Sequence, residues 1–249
     1  MSRSLPSRIL AAISIVAVFL FFAPQSRAAG IAFDQATNVQ ISSSGVTSLT
    51  YSATVAASNE TLIVAVHNVS GDTVTGVTYN GAAMTLVTKA EGFASGQYMY
   101  LYYLTNPSTG TNNVVVSRSN TTSVIVSQAA AYSGMSLTGQ PDSFNSGNSL
   151  SPVASLTVNT TVVLSGSWIV AWCEYDNNPT CASSQLTFRG ANNNGFSMGD
   201  TNAGVSSGSN SITLNNQGGG DQRAGMLVAS FASDATAAPS IGDWFSFWW

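Results

Sequence analysis

"VTGVTYNGAAMTLV", residues 74–87, carries the pattern that decides the fold. Valines and leucines alternate loosely with threonines, and Asn80-Gly81 stands in the middle. Both central residues of a type I′ turn need positive φ, which Asn-Gly supplies at the least steric cost. The stretch therefore reads as strand, two-residue turn, strand. Period-two alternation puts Val77 and Tyr79 on one face of the first strand and pairs Met84 with Leu86 on one face of the second. Half of each strand suits a core and half, with its threonines, suits water.

The same period extends in both directions. Residues 46–55, 60–69, 72–80, 82–89, 97–105, 112–119 and 123–133 read as successive strands. After a looser stretch, residues 154–160, 166–175, 184–190, 209–216 and 224–233 continue the series. The runs are rich in β-branched and aromatic residues and are bounded by Gly, Asn, Ser and Pro, as in a sandwich or barrel. Beyond the N-terminal leader no stretch shows sustained helical spacing of apolar residues. The expected fold is all-β: a two-sheet antiparallel β-sandwich of jelly-roll type over residues 29–233. An internal echo runs through it. "TLIVAVHN" (61–68) and "SWIVAWCE" (167–174) each open a block, and "AAAYSG" (129–134) and "LVASFAS" (227–233) each close one. Two halves of one jelly roll account for the echo, and so do two Ig-like modules.

The first 28 residues stand apart. Arg3 and Arg8 precede an unbroken apolar and small run from Ile9 to Phe22, then the small-residue site Ser26-Arg27-Ala28. This is the pattern of a secretory signal peptide cleaved after Ala28. The run falls short of the ~20 residues that span a bilayer. An uncleaved anchor is the alternative, and the lack of a following cysteine argues against a lipoprotein. Residues 29–249 are long enough to bury a full core without staples. Only 7% of the chain is charged, against about 25% in an average globular protein. Three of the seven basic residues lie in the leader and all eleven acids lie beyond it, leaving four against eleven, a balance of −7. Lys89 is the lone lysine. Nothing in that balance can neutralise a phosphate backbone, so nucleic acid is excluded as a partner. Solubility rests on Ser, Thr, Asn and Gly. The expected location is secreted or cell-surface, through bacterial export.

Two cysteines occur, Cys173 and Cys181, in "WCEYDNNPTC". Export places them in an oxidising space, and Asp176-Asn177-Asn178-Pro179 between them is strong turn chemistry. A disulfide closing this loop is expected. Two cysteines and one histidine cannot make an ordinary zinc site, so no metal centre or cofactor is expected, with calcium at the acidic turn as the alternative.

A family resemblance enters on "GVTYNGAAMTLV", "YMYLYYLTNPSTGTNNVVVS", "AAYSG", "GDTNAGV" and the closing "ASFAS". Together these resemble a β-sandwich domain that recurs in exported bacterial proteins. There the pattern is a hairpin "VTYGG-A-x-T", a "YYL-x-x-P-x-x-G" strand and turn, and a "SYSG"-like strand. The resemblance covers roughly Gly30 to Ser233. Its motifs are turn glycines and strand aromatics, so it implies fold more than activity: a non-catalytic module of extracellular or cell-surface proteins.

Several constellations invite a chemical reading. "GVSSG" (204–208) matches the G-x-S-x-G nucleophile pattern, but that serine needs a strand-to-helix turn, and here a strand follows. His67, the sole histidine, shares a strand face with Ile63, Ala65 and Val69 and reads as a hydrogen-bonded, partly buried residue. Glu174 and Asp176 face the same way on a strand, near Trp168 and Trp172. Two such carboxylates could hydrolyse a glycoside, and the pair weakly resembles the E-x-D-x-x-E of laminarinase-like jelly rolls, without the third acid. No catalytic residue is assigned. Tyr98, Tyr100 and Tyr102 share one strand face, with Met99, Leu101 and Tyr103 on the other; with Trp168 and Trp172 they form a candidate aromatic platform for a glycan. Cross-strand aromatic packing is the plainer reading of the same row.

The C-terminal "IGDWFSFWW" (241–249) concentrates Trp244, Phe245, Phe247, Trp248 and Trp249. Rings left in water cost roughly 25 cal/mol per Å² of apolar surface. These rings therefore call for a partner: the domain itself, another copy, or a membrane interface. Residues 234–249 read as a linker and tail. The expected function is structural, adhesive or ligand-binding, toward a glycan or a surface protein. A carbohydrate-binding module is the alternative, and a jelly-roll glycosidase the remote one.

Overall fold

The computed structural model describes residues 30–234, apart from 69–72, 122–123, 178–179, 194 and 217–219. The leader and the aromatic tail with Trp244, Phe245, Phe247, Trp248 and Trp249 lie outside the described residues. Among the described residues every regular element is a β-strand, and every strand pairing is antiparallel.

The strands form four sheets. The first inner sheet runs in the order β1 (Ala32–Ala36), β10 (Ile125–Ser133), β4 (Glu60–Asn68), β8 (Tyr98–Thr105), β7 (Thr85–Glu91), with the short β2 (Gln40–Ile41) also on β10. The first outer sheet is β3 (Ser48–Val55), β9 (Gly110–Arg118), β5 (Val74–Tyr79), β6 (Ala82–Ala83). The second inner sheet is β11 (Ser143–Val153), β18 (Gln222–Phe231), β13 (Trp168–Tyr175), β16 (Phe196–Asp200), β15 (Thr187–Asn193). The second outer sheet is β12 (Ser155–Val162), β17 (Gly208–Asn216), β14 (Cys181–Ala182). The antiparallel sandwich expected from the sequence is present. Its sheets number four; the five-strand orders of the two inner sheets match strand for strand, and the outer sheets match over three strands, with β6 an addition to the first. The echo in the sequence corresponds to one strand order laid down twice.

Three cores glue the four layers. Leu62, Val64, Tyr100 and Tyr102 of the first inner sheet pack on Tyr51, Val77, Tyr79 and Val116 of the first outer sheet. Ile169, Ala171, Met226 and Val228 pack on Val158, Ile212 and Leu214 in the second sandwich. Between the sandwiches, Ile63, Ala65, Leu101 and Tyr132 meet Trp172, Phe196, Leu227 and Phe231. The central strands of the inner sheets are therefore covered on both faces. β4 and β13 are buried at every position, and their sequences show an unbroken apolar run instead of alternation.

The opening hairpin holds at its turn. Asn80 and Gly81 have φ of 48° and 79°, and Val77 and Tyr79 are both buried. Beyond the turn the expected strand divides. β6 pairs with β5 for only two residues, then the chain crosses to the edge of the inner sheet as β7. The crossing breaks the period, so Met84 is buried while Leu86 is 47% exposed.

Cys173 and Cys181 form the expected disulfide, tying the second inner sheet to the second outer one. Both cysteines lie in the core there. Loop-closure entropy for so short a ring gives about 2–3 kcal/mol. The double variant Cys173→Ala/Cys181→Ala is expected to lose that much in urea unfolding of the oxidised protein, and an unchanged midpoint would refute the estimate.

Candidate functional site

Chemistry-bearing side chains gather where the two inner sheets face each other. β4 delivers His67 and β13 delivers Glu174. His67 Nδ1–H donates to Glu174 Oε2 at 2.6 Å, and the Phe93 backbone N–H donates to Glu174 Oε1 at 2.8 Å. His67 is 1% exposed and Glu174 fully buried. The imidazole stacks on Phe93, centroids 5.5 Å apart and planes 4° from parallel, and tilts against Phe196 at 4.8 Å. Two glycines make the space. A Cβ on Gly92 would lie 2.0 Å from Glu174 Oε1, and one on Gly225 would lie 2.7 Å from it.

Register shows why these two residues meet. Tyr132 of β10 pairs with Thr61 of β4, and Phe231 of β18 pairs with Trp168 of β13. If the closing echo is aligned on Tyr132 and Phe231, both in the central core, His67 and Glu174 fall at equivalent positions. His67 then pairs across to Val126, and Glu174 to Gly225. The position that holds a valine in the first sandwich is the glycine that admits the carboxylate in the second.

A second polar cluster crosses the same interface. Arg189 of β15 grips Asp200 through Nε to Oδ2 at 2.6 Å and Nη2 to Oδ1 at 2.7 Å. The Tyr132 hydroxyl, from the other sandwich, donates to Asp200 Oδ2 at 2.9 Å. The Arg189 guanidinium lies 4.0 Å over the Phe33 ring. Burial first, then the Asp200 charge and hydrogen bond, hold the Tyr132 hydroxyl well above its ordinary pKa, with Arg189 opposing. It stays a donor at any ordinary pH. Gln128 completes the set: its Nε2 donates to the Thr37 carbonyl at 2.8 Å and its Oε1 accepts from the Met198 N–H at 2.7 Å.

A histidine held by a carboxylate has the geometry of a general base and its orienting acid. Here both partners are buried, the imidazole lies between Phe93 and Phe196, and the bond links the two inner sheets. Glu174 and Asp176 do not share a cleft. Glu174 points into the interface, while Asp176 lies in the following turn, paired with Arg223. Among the described residues no group of three or more His, Cys, Asp or Glu side chains gathers. At "GVSSG", Val205 bridges to Ser167 and Gly208 opens β17, so a strand follows.

The aromatic row occupies cores rather than a surface, which corrects the platform expectation. Tyr100, Tyr102, Trp168 and Trp172 are 1%, 5%, 6% and 0% exposed. Tyr98 is half-buried beneath the Lys89 ammonium, 3.8 Å from its ring. The physical reason is that β8 and β13 are inner strands, so each of their faces meets another sheet. His67 behaves as expected and more so, being fully buried with Ile63 and Ala65 beside it; Val69 lies outside the described residues. The sequence reading passed over Asp200, Arg189, Gln128 and Phe93. The available signal was an acid alone in an otherwise apolar, small-residue strand, "FSMGD".

Glu60, 2% exposed at the start of β4, accepts from the Ala56 N–H at 3.2 Å. Burial, then nearby Asp34, raises its carboxyl above the ordinary value. A raised acid binds its proton more tightly when folded, so its contribution is full below the unfolded pKa and is lost as pH rises through the folded one. Glu60→Gln keeps an acceptor and removes the charge. Its melting temperature relative to the parent should therefore climb between pH 4 and pH 7; a constant difference would sink this assignment.

Comparisons with protein-family models, curated proteins and solved structures each found no match.

Proposed function

We propose that this protein is an exported, non-catalytic β-sandwich with a structural or adhesive role at the cell surface or outside the cell. The observation that carries the reading is the chemistry of the two outermost faces. Outward positions of β3, β9, β12 and β17 are hydroxyls and amides with a single valine, Val115, and no charge. They bond across strands in rungs: Thr54 to Thr111 at 2.8 Å, Thr157 to Thr213 at 2.9 Å, Ser211 to Asn159 at 2.7 Å. Meanwhile His67 and Glu174 are bonded to each other between the two inner sheets, and Arg189 holds Asp200 within one inner sheet while the Tyr132 hydroxyl reaches Asp200 from the other. Such faces suit many weak neutral contacts with a glycan or another protein surface. The leader pattern of residues 1–28, the disulfide and the resemblance to exported bacterial sandwiches support the same reading.

The full chain expressed in a bacterium tests it. The product should appear outside the cytoplasm, shortened by the leader, with both thiols blocked to alkylation. Full-length cytoplasmic protein with two free thiols would overturn it. Adhesion to the producing cell's envelope should fall severalfold in Thr54→Lys and Thr157→Lys variants, while exposed changes of this kind leave stability within about 0.5 kcal/mol.

A further inference from the structure

A cleft of about 280 Å³ opens on the flank of the first sandwich, between edge strand β3 and the β1–β2 edge. Thr37 and Asn38 line one wall, Ser52 and Thr54 the other, above a floor that includes Leu62 and Ala131. Its cause lies in the neighbouring sandwich. The segment between β1 and β2 is drawn that way, with the Ala191 N–H on Asn38 Oδ1 at 2.9 Å and the Val39 N–H on the Ala191 carbonyl at 3.4 Å. The matching flank of the second sandwich is closed. There a single residue, Ala154, separates β11 from β12, and Asn145 Nδ2 donates to the Asn159 carbonyl at 2.7 Å.

Ladder phase shows what β3 offers to the cleft. The Arg118 N–H bonds the Thr47 carbonyl, and the Asn80 N–H bonds the Asn113 carbonyl. Bonded and non-bonded pairs alternate in an antiparallel ladder. Leu49, Tyr51 and Ala53 therefore bond β9, while Thr50, Ser52 and Thr54 turn their N–H and C=O groups toward the open edge. β3 is eight residues long with no proline and no charged side chain, none of the devices that usually blunt an edge.

We propose that this cleft is a peptide-binding site, in which an extended, uncharged segment of another polypeptide adds as a strand to β3 along Thr50, Ser52 and Thr54. Donors and acceptors spaced every second residue match a peptide backbone. No aromatic ring lines the cleft for a sugar to stack on, and no ionisable side chain lines it to repay a charged occupant's lost water. Ligand sites run about 300–1,000 Å³, so this cleft falls just below that range, and the inward side chain over Leu62 and Ala131 must be small or aliphatic. The inference goes beyond the surface role above and holds wherever the protein resides.

The test uses the full chain and the synthetic peptide acetyl-SVTVSVT-amide. Amide exchange at Thr50, Ser52 and Thr54 should slow at least about tenfold with saturating peptide. Ser52→Ala keeps the backbone and should keep that protection. Ser52→Pro removes one edge donor that the ladder does not use, a place where proline is tolerated, and should lose it. The same peptide N-methylated at alternate amides should give no protection on the parent protein, a control that does not depend on any variant folding. No slowing with the unmodified peptide, equal slowing with the methylated one, or protection retained in Ser52→Pro would each overturn the proposal.

Discussion

Glu174→Ala should cost about 3–5 kcal/mol of folding stability, the scale of loss when one partner of a buried, hydrogen-bonded pair is removed. Three losses act together. His67 keeps its ring between Phe93 and Phe196 with no acceptor for Nδ1–H. The Phe93 N–H, now bonded to Oε1, is orphaned in the interior, at a further desolvation cost of about 1–3 kcal/mol that the range above already absorbs. The space held open by Gly92 and Gly225 becomes a void. His67→Ala should cost a similar amount by leaving Glu174 Oε2 without its donor and opening a cavity between Phe93 and Phe196. Replacing both residues by leucine should cost less than either single change, because a buried pair exchanged for apolar groups is often close to neutral. Urea midpoints at constant m-value read all three. Single-variant losses below about 1 kcal/mol would mean that water reaches the pair and that it does not hold the sandwiches together.

How much of this was legible depends on which layer a strand occupies. The outer strands obey the simple rule. β3 and β12 alternate exposed and buried along nearly their whole length, and in β5 the two residues expected on one face, Val77 and Tyr79, are both buried. The inner strands do not, because a sheet covered on both faces leaves no polar side to mark. "LIVAVHNV" and the tyrosine row of β8 look amphipathic only if one face is assumed to meet water. The platform reading failed on that assumption. The echo was visible but misplaced by one position. Matching "IVA" with "IVA" sets Ile63 against Ile169, yet Ile63 faces the central core and Ile169 the core of the second sandwich. A one-residue slip in a strand exchanges its faces. The register-based match sets His67 against Glu174 instead, so the central pair could not be found from the string. The turn chemistry was fully legible, since Asn80-Gly81 needs positive φ whatever packs around it. The disulfide was legible for a similar reason: the two cysteines flank one short loop rich in turn residues.

The largest purely steric effect is expected at Gly190. Its φ is +67°, and a Cβ there would lie 2.3 Å from the Thr37 carbonyl oxygen and 2.8 Å from Gln128 Nε2. The nearer atom is backbone, so no rotamer change relieves the clash. Thr37 itself is fixed by its N–H on the Ala129 carbonyl at 2.9 Å and by Gln128. Gly190→Ala combines about 1–2 kcal/mol for a left-handed non-glycine residue with about 1–3 kcal/mol for forced repacking. Gly139 separates the two contributions, because its φ of +65° is nearly the same and nothing lies within 4 Å of its Cβ position. Gly139→Ala should therefore lose only the conformational part, and the gap between the variants measures how tightly the first sandwich's edge is pressed on the second. Gly190→Ala should also speed amide exchange at Val39, whose N–H bonds the Ala191 carbonyl across that contact, and Gly139→Ala should not. Equal losses in the two variants would show that the Thr37 segment yields freely, and the account of how the flanking cleft is held open would fall with it.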